Sequence, residues 1–568
     1  MSMIVLPRRC RGALLSLLVV ALVTGCAGPA PPAAPSKPAA APPTTAAAPT
    51  TAPAASGKPA APAAASTTAP ASAAQPAAGK PATAGAGTPR GTLVVVVEGE
   101  PENGVMPRNS CTLITNFTLS NVYEKLTVIG ADGRPTPQLA ESYERVNDLT
   151  WRFKLRQGVT FSNGEPFNAD AVMATLEHDL GPNVTNPGRC RNEYPTLTYP
   201  GKKIDDYTVE LTTNAPDPLL PAKLAAFKIA APGWLKATTE EQMVTAAMGT
   251  GPYTLVEWQR GGHILLKVNP TYWGPTKPTI AEVRILPRKE ASVRAAMVQA
   301  GEAHLAFSIP PDQAKQLPAA MTEQTTEMIG VRLNTEHPAL KDIRVRQAIA
   351  YAIDTKSLTD ALFAGFSTPA NGQMARASTF GQNPTLAAYP YDPAKAKQLV
   401  QEAGAVGAPI ELVVREANFA RITELGEAIT GTVSAATGLK MTPRLLEAGL
   451  WRESLFAVKP GEKRSDTLLV AASNTTFDSF RMLTSYYPCG GQFAHACDEA
   501  FTAKLAETAT KSGPEREQGF RDLWKTTHDN YWVIPLFGLD FVHGTSAKLT
   551  WKPRVDQQWM YAEMTLQD

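Results

Sequence analysis

From Ala27 to Arg90 the chain is almost wholly Ala, Pro, Thr, Ser and Gly, without one aromatic residue. Such a stretch has nothing with which to build a core, so it reads as disordered, and its prolines keep it semi-extended. At ~3 Å per residue it reaches on the order of 200 Å. Any fold must come from the residues that follow. Of the 568 residues, that leaves more than a single hydrophobic core usually holds, and two or more domains are expected. The charge divides at the same place. Arg8, Arg9, Arg11, Lys37, Lys58, Lys80 and Arg90 all precede the first acidic residue, Glu98; removing these seven from the formal net charge of +2 leaves −5 from Gly91 onward. A mildly acidic globular part lacks the basic face of a nucleic-acid binder.

Ahead of this stretch, Arg8, Arg9 and Arg11 form a positive n-region and Ala13 to Val23 an apolar run too short to span a bilayer comfortably. The run ends in Val23-Thr24-Gly25-Cys26, which resembles the bacterial lipobox. That resemblance implies a lipoprotein signal over residues 1–26, a lipid on the Cys26 sulfur and a tether over 27–90. The folded part would then be extracytoplasmic, on the periplasmic side or outer surface of the membrane that anchors it. Four other cysteines, Cys111, Cys190, Cys489 and Cys497, follow the signal. In an oxidising compartment they allow three pairings. Closeness in sequence favours Cys489 with Cys497, which leaves Cys111 with Cys190. Zinc is the competing use, but no C-x-x-C or H-x-x-x-H accompanies them, so no metal is expected.

Helices and strands alternate along the globular part. The valine run Thr92 to Val97 reads as a strand buried on both faces. Leu149, Trp151, Phe153 and Leu155 alternate with polar residues, the pattern of a strand with one wet face. Asn168 is placed to cap a helix containing Val172 and Leu176, with Asp170 in its first turn. Thr254 to Trp258, a corner at Arg260-Gly261-Gly262 and His263 to Val268 predict a hairpin. A helix around Val293, Ala296, Met297 and Ala300 stops at Gly301. Asp342 opens another with Val345, Ile349 and Ile353 on one face, and Asp392-Pro393 opens a third that ends at Gly404. The pattern is α/β.

Several blocks, in order, carry a family resemblance. They are Tyr123-Glu124-Lys125-Leu126-Thr127, Pro137 to Tyr143, Trp151 to Phe161 with Asn163 to Phe167, Gly249-Thr250-Gly251-Pro252-Tyr253, Asn269-Pro270-Thr271-Tyr272-Trp273, Ile343 to Asp354, and Tyr391 to Lys397. Together they resemble the peptide-type (family 5) solute-binding proteins of ABC importers, over nearly everything from Gly91 on. The resemblance implies a periplasmic-binding-protein-like α/β fold (type II, cluster C), with two lobes joined by a hinge and an extra inserted domain. Domain I would take 91–133, 245–328 and 545–568, the inserted domain II 134–244, and domain III 329–544. It also implies a ligand held between the lobes, a membrane permease with separate ATPase subunits as partner, and a monomer.

The ligand-binding residues follow from the same resemblance. In peptide-binding relatives an acidic residue ahead of an Asp-Pro-Asp-like segment holds the ligand's free amine, and a nearby Trp lines the cleft. Ser473 and Val470 stand at those positions here, and a hydroxyl cannot supply the charge a buried ammonium needs. Ser473 and Asn474 are candidate pocket residues. Asp478 is a second acid in that segment or a helix N-cap ahead of Phe480. Arg415 and Arg421 are candidates for a ligand carboxylate. Trp451, Tyr486 and Tyr487 would line the cleft from the second lobe, Asn116 and Phe117 from the first. No G-x-S-x-G, S-x-x-K, H-E-x-x-H or Walker loop is present, and the seven histidines are scattered singly, so neither an enzyme nor a cofactor is expected. The alternatives are a binding protein for a sugar, metal chelate or other small molecule, and a tethered chaperone-like holder or receptor.

Overall fold

The structure is a computed structural model and describes residues 88–109, 111–186, 188–416, 418–451, 465–489, 494 and 496–567. The expected export signal, Cys26 and the expected tether up to residue 87 lie outside the described residues. The valine run becomes the strand Arg90–Val97, whose burial follows from its neighbours: it pairs in parallel with Ile280–Pro287 on one side and Leu305–Ala306 on the other. These strands belong to an eleven-stranded mixed sheet. Beyond Ile280–Pro287 lies the hairpin of His263–Val268 and Tyr253–Gln259, turning where Gly261 adopts φ +72°.

Two long antiparallel strands, Ala319–Leu333 and Val533–Thr545, carry this sheet from one lobe into the other. At one end Gly544 pairs with Ala306; at the other, Met328 to Leu333 pair with Thr467–Ala472, which leads to Pro409–Arg415 and Lys440–Leu446 at the edge. The ladder is broken between Gln324 and Met328. The cores divide at the same level. Phe541 packs with Leu93, Val95 and Phe307, whereas Ile534, Leu536 and Phe537 pack with Ile329, Val345 and Leu412. The second strand thus changes lobes between Leu539, which pairs with Ser367, and Asp540, which pairs with Gln324, a few residues before position 544.

The crossing is clamped by polar groups. Arg376 pairs with Asp540, both nearly fully buried, and also donates to the carbonyls of Glu327 and Leu539. Burial pushes the Asp540 carboxyl up, against the pull of Arg376. Gly538 makes room for this pair, since a Cβ there would fall 1.8 Å from the Arg376 guanidinium. One strand turn away, Glu323 and His543 are fully buried 3.0 Å apart. The Ser308 N–H donates to Nδ1 of His543, which leaves Nε2 to donate to Glu323.

A separate four-stranded antiparallel sheet, in the order Ala140–Asn147, Thr150–Leu155, Thr208–Thr212, Lys202–Asp205, forms the inserted part. The helix Ala169–Leu180 packs on it through Val172 and Leu176, and the Asn168 side chain caps that helix by accepting the N–H groups of Asp170 and Ala171. A disulfide between Cys111 and Cys190 ties this core to the segment before it, and a second joins Cys489 to Cys497.

Two local expectations change. Leu149 lies outside the strand and is exposed, because its N–H is taken by the Asn147 side chain in the preceding turn. In the helix Ala291–Gln299, Val293 faces solvent while Arg294 is buried. The Arg294 guanidinium donates to the carbonyls of Phe307, Arg288, Lys289 and Ser308 at 2.6–2.8 Å, so a fully bonded charge occupies the inward face.

Candidate functional site

Three of the motif blocks converge on one carboxylate. Glu124 accepts hydrogen bonds from Thr250 (2.7 Å), Trp273 Nε1 (2.6 Å) and Tyr272 (3.3 Å). Burial is the largest influence on it and pushes its carboxyl up to about 7. Gly249 and Gly251 let the backbone pass: a Cβ would meet the Val122 carbonyl at 2.1 Å or that of Asn121 at 2.4 Å. This knot positions the chain on either side of Lys125.

On the second lobe the loop after Thr467–Ala472 runs from Ser473 to Asp478. Val470 is buried in the core. Asn474 is buried as well, donating to the Asp478 carbonyl (3.1 Å) and accepting from Thr476, so it shapes the loop from inside. Asp478 caps the helix Ser479–Tyr486 through the Phe480 N–H. It also receives both terminal nitrogens of Arg516, at 2.6 and 3.0 Å, and each side chain of the pair is under 10% exposed. Asp478 is therefore a cap and half of a buried ion pair.

Ser473, exposed, donates to Glu327 at 3.3 Å. Glu327 occupies the break in the long strands. Burial raises its carboxyl, opposed by Ser473 and by the charges of Arg376 and Arg415. Arg415 lies 5.3 Å over the Trp451 ring and donates to Asn418 (2.8 Å). Tyr486 is pushed up to about 12, mainly by burial, with Glu327 adding to the shift. Ser473, Arg415 and Tyr486 thus act on an acid that the residue patterns do not reveal, and Trp451 lies against Arg415. Two other expected residues lie elsewhere. Tyr487 is in the core against Phe501, Trp524 and Trp532. Arg421 is exposed where the helix Ile422–Thr437 begins, held there by its own φ of +64°.

The first lobe and the inserted part face the 475–477 loop across a cavity of about 200 Å³. Asn116 lines it, and its Oδ1 is buried with no hydrogen-bond partner among the described residues. Phe117 does not reach the cavity: it is fully buried, stacked 4.0 Å from Trp559 and edge-on to Phe307, because the next residue along a helix points a different way. Lys125 and Lys228 line the cavity too, 4% and 2% exposed. Burial brings Lys125 down to about 8 and takes Lys228 well below the usual lysine range. A signal for Lys228 is present in the sequence, as the one charge in Leu224-Ala225-Ala226-Phe227-Lys228-Ile229-Ala230-Ala231. Across the cavity Thr475 donates to Glu193 at 3.2 Å, joining the second lobe to the inserted part. Among the described residues no cluster of three His, Cys, Asp or Glu could hold a metal ion, and no helix is long and apolar enough to cross a membrane.

Two lobes that share a sheet through a pair of crossing strands, with a charged cavity between them, define a binding protein of the hinged, cleft-closing class. Residues 134–493 match the bacterial extracellular solute-binding proteins, family 5 (middle region), and the chain belongs to that family, whose members are extracytoplasmic binding components of transport. It is 29% identical over 497 residues to "Probable di/tripeptide-binding protein 5" of Pseudomonas aeruginosa, covering 81% of this chain and 91% of that one. It is 31% identical over 319 residues to the glutathione-binding protein GsiB of Escherichia coli, covering 55% of this chain and 61% of the other. Among solved structures, HbpA2 of Haemophilus parasuis shares the fold with a TM-score of 0.75 at 23% identity, over 84% of this chain and 100% of that one.

Proposed function

We propose that this chain captures a peptide or peptide-like solute between its lobes and delivers it to an ABC permease driven by separate ATPase subunits. The observation that carries this reading is the cavity between the 475–477 loop and the first lobe, whose walls hold the buried Lys125 and Lys228 together with the carboxylates of Glu193 and Asp556. A solute with ionised ends matches such a lining, and the names of two relatives, one for di- and tripeptides and one for glutathione, point the same way. Closure is stabilised by contacts the solute makes with both lobes, beyond the direct contact of Thr475 with Glu193. Cys26 carries the lipid, residues 27–90 are the tether, and the folded part works as a monomer within reach of its permease.

The test is a thermal-shift and calorimetric screen of the mature chain against di- and tripeptides and glutathione, followed by solution scattering. At a hundredfold its dissociation constant a true ligand adds about 2.7 kcal/mol of apparent stability. The scattering envelope should contract on binding. Binding confined to non-peptide solutes, or to unfolded polypeptides without contraction, would refute the reading.

A further inference from the structure

Lys125 and Lys228 come from segments 103 residues apart, yet their backbones form an isolated antiparallel bridge. Residues directly opposite in such a pair put their side chains on the same face. Both side chains are more than nine-tenths buried, and both line the cavity beneath the 475–477 loop. Lys125 has no ion-pair partner among the described residues, its ammonium reaching only Ser120 at 3.5 Å. The acids nearest Lys125 are engaged by other donors: Glu124 by Thr250, Tyr272 and Trp273, and Asp556 by Arg554. Burying the Lys125 ammonium this way is costly unless an anion comes to meet it.

A second observation bears on the same cavity. The Asn116 amide oxygen is buried there without a partner. Turning the amide over presents its two N–H donors at that point, which an anion would accept.

We propose that the cavity walled by Lys125, Lys228 and Asn116 is an anion pocket that receives the carboxylate end of the captured solute, with Thr475 to Phe477 closing over it. This rests on the peptide-capture reading and assigns one end of the ligand to the first lobe. At about 200 Å³ the cavity is below the roughly 300–1,000 Å³ of pockets that enclose a whole small-molecule ligand, so it suits a terminus. Glu193 and Asp556 share the wall, and they repel a dianion more than a singly charged carboxylate. The pocket therefore selects a carboxylate over a phosphate.

The probes are trialanine, trialanine amide, glutathione and inorganic phosphate, titrated into the mature chain and into Lys125→Met, Lys228→Met and Lys125→Arg. Lys125→Met removes a buried charge that has no ion-pair partner among the described residues, so its unliganded melting temperature should equal or exceed that of the wild type. Trialanine should bind at least about tenfold more tightly than its amide, from the worth of one hydrogen bond to a charged group. That ratio should collapse in both Met variants and return in large part in Lys125→Arg. Equal binding of trialanine and its amide, or a ratio unchanged in the Met variants, overturns the pocket and leaves peptide capture standing. Binding of phosphate but of no peptide overturns both the carboxylate assignment and the peptide reading. Silence toward all four probes overturns both as well.

Discussion

Replacing Asp478 by Asn separates its two duties. Asn ranks with Asp as an N-cap, so the hydrogen bond from the Phe480 N–H survives. What is lost is the counter-charge to Arg516, whose side chain is 7% exposed and whose guanidinium lies 4.5 Å from the Phe520 ring centre and 5.3 Å from that of Phe380. Removing one partner of a buried ion pair costs about 3–5 kcal/mol. The two ring contacts are present before and after the substitution, so they leave that cost unchanged. Asp478→Asn should therefore destabilise the folded chain by about 3–5 kcal/mol in urea unfolding. Arg516→Met, which strands the carboxylate instead, should cost a similar amount. The double variant should cost less than the sum of the singles by about 2–3 kcal/mol, since neither charge is then left alone. An Asp478→Asn stability within about 0.5 kcal/mol of wild type would mean that the carboxylate is not committed to Arg516, and would return Asp478 to the set of ligand-contacting groups.

Other outcomes follow from the same reasoning. Glu124 has its carboxyl raised from 4.5 to about 7, so the folded state holds its proton more tightly than the unfolded chain does. That contribution is fully present below about pH 4.5 and is lost as pH rises through 7, on the order of 3 kcal/mol in all. Glu124→Gln should flatten the fall in melting temperature between those pH values, and an unchanged slope would refute the assignment. Gly538→Ala forces Arg376 off Asp540 and should cost about 3 kcal/mol or more, read as a lowered melting temperature; a neutral result would remove the clamp. Phe117→Ala should cost about 3–5 kcal/mol of stability and leave peptide affinity within about twofold, whereas a large affinity loss in a stable variant would place Phe117 in the cleft after all.

The parts of the fold that were legible in sequence are those decided over a few residues. Asn168 and Asp392 each accept a backbone N–H two or three positions on, and a run of valines in a central strand needs only neighbours on both sides. The ordered family blocks supplied the two-lobed architecture, and three of them meet in this chain where Thr250, Tyr272 and Trp273 donate to Glu124. What stayed hidden depends on register and on charge partners distant in sequence. Glu327 reaches Ser473 because the ladder skips between Gln324 and Met328, and no periodicity announces a skip. Arg294 turns inward because four carbonyls from two separate segments await it. Asp478 looked available until Arg516, 38 residues on, was brought against it. Phe117 and Asn116 are adjacent in sequence and part ways in space, one into the core and one onto the cavity.

The shared sheet sets how the halves can move relative to each other. Backbone pairing between the two long strands runs unbroken from Ala319 to Gln324 and resumes at Met328, so bending concentrates in Thr325, Thr326 and Glu327. Such a joint behaves as a leaf spring rather than a loose strap: its intact ends fix the plane of bending. Thr326 lines the cavity and Glu327 meets Ser473, which places the pivot beside the cargo, where small displacements become long excursions at the rim.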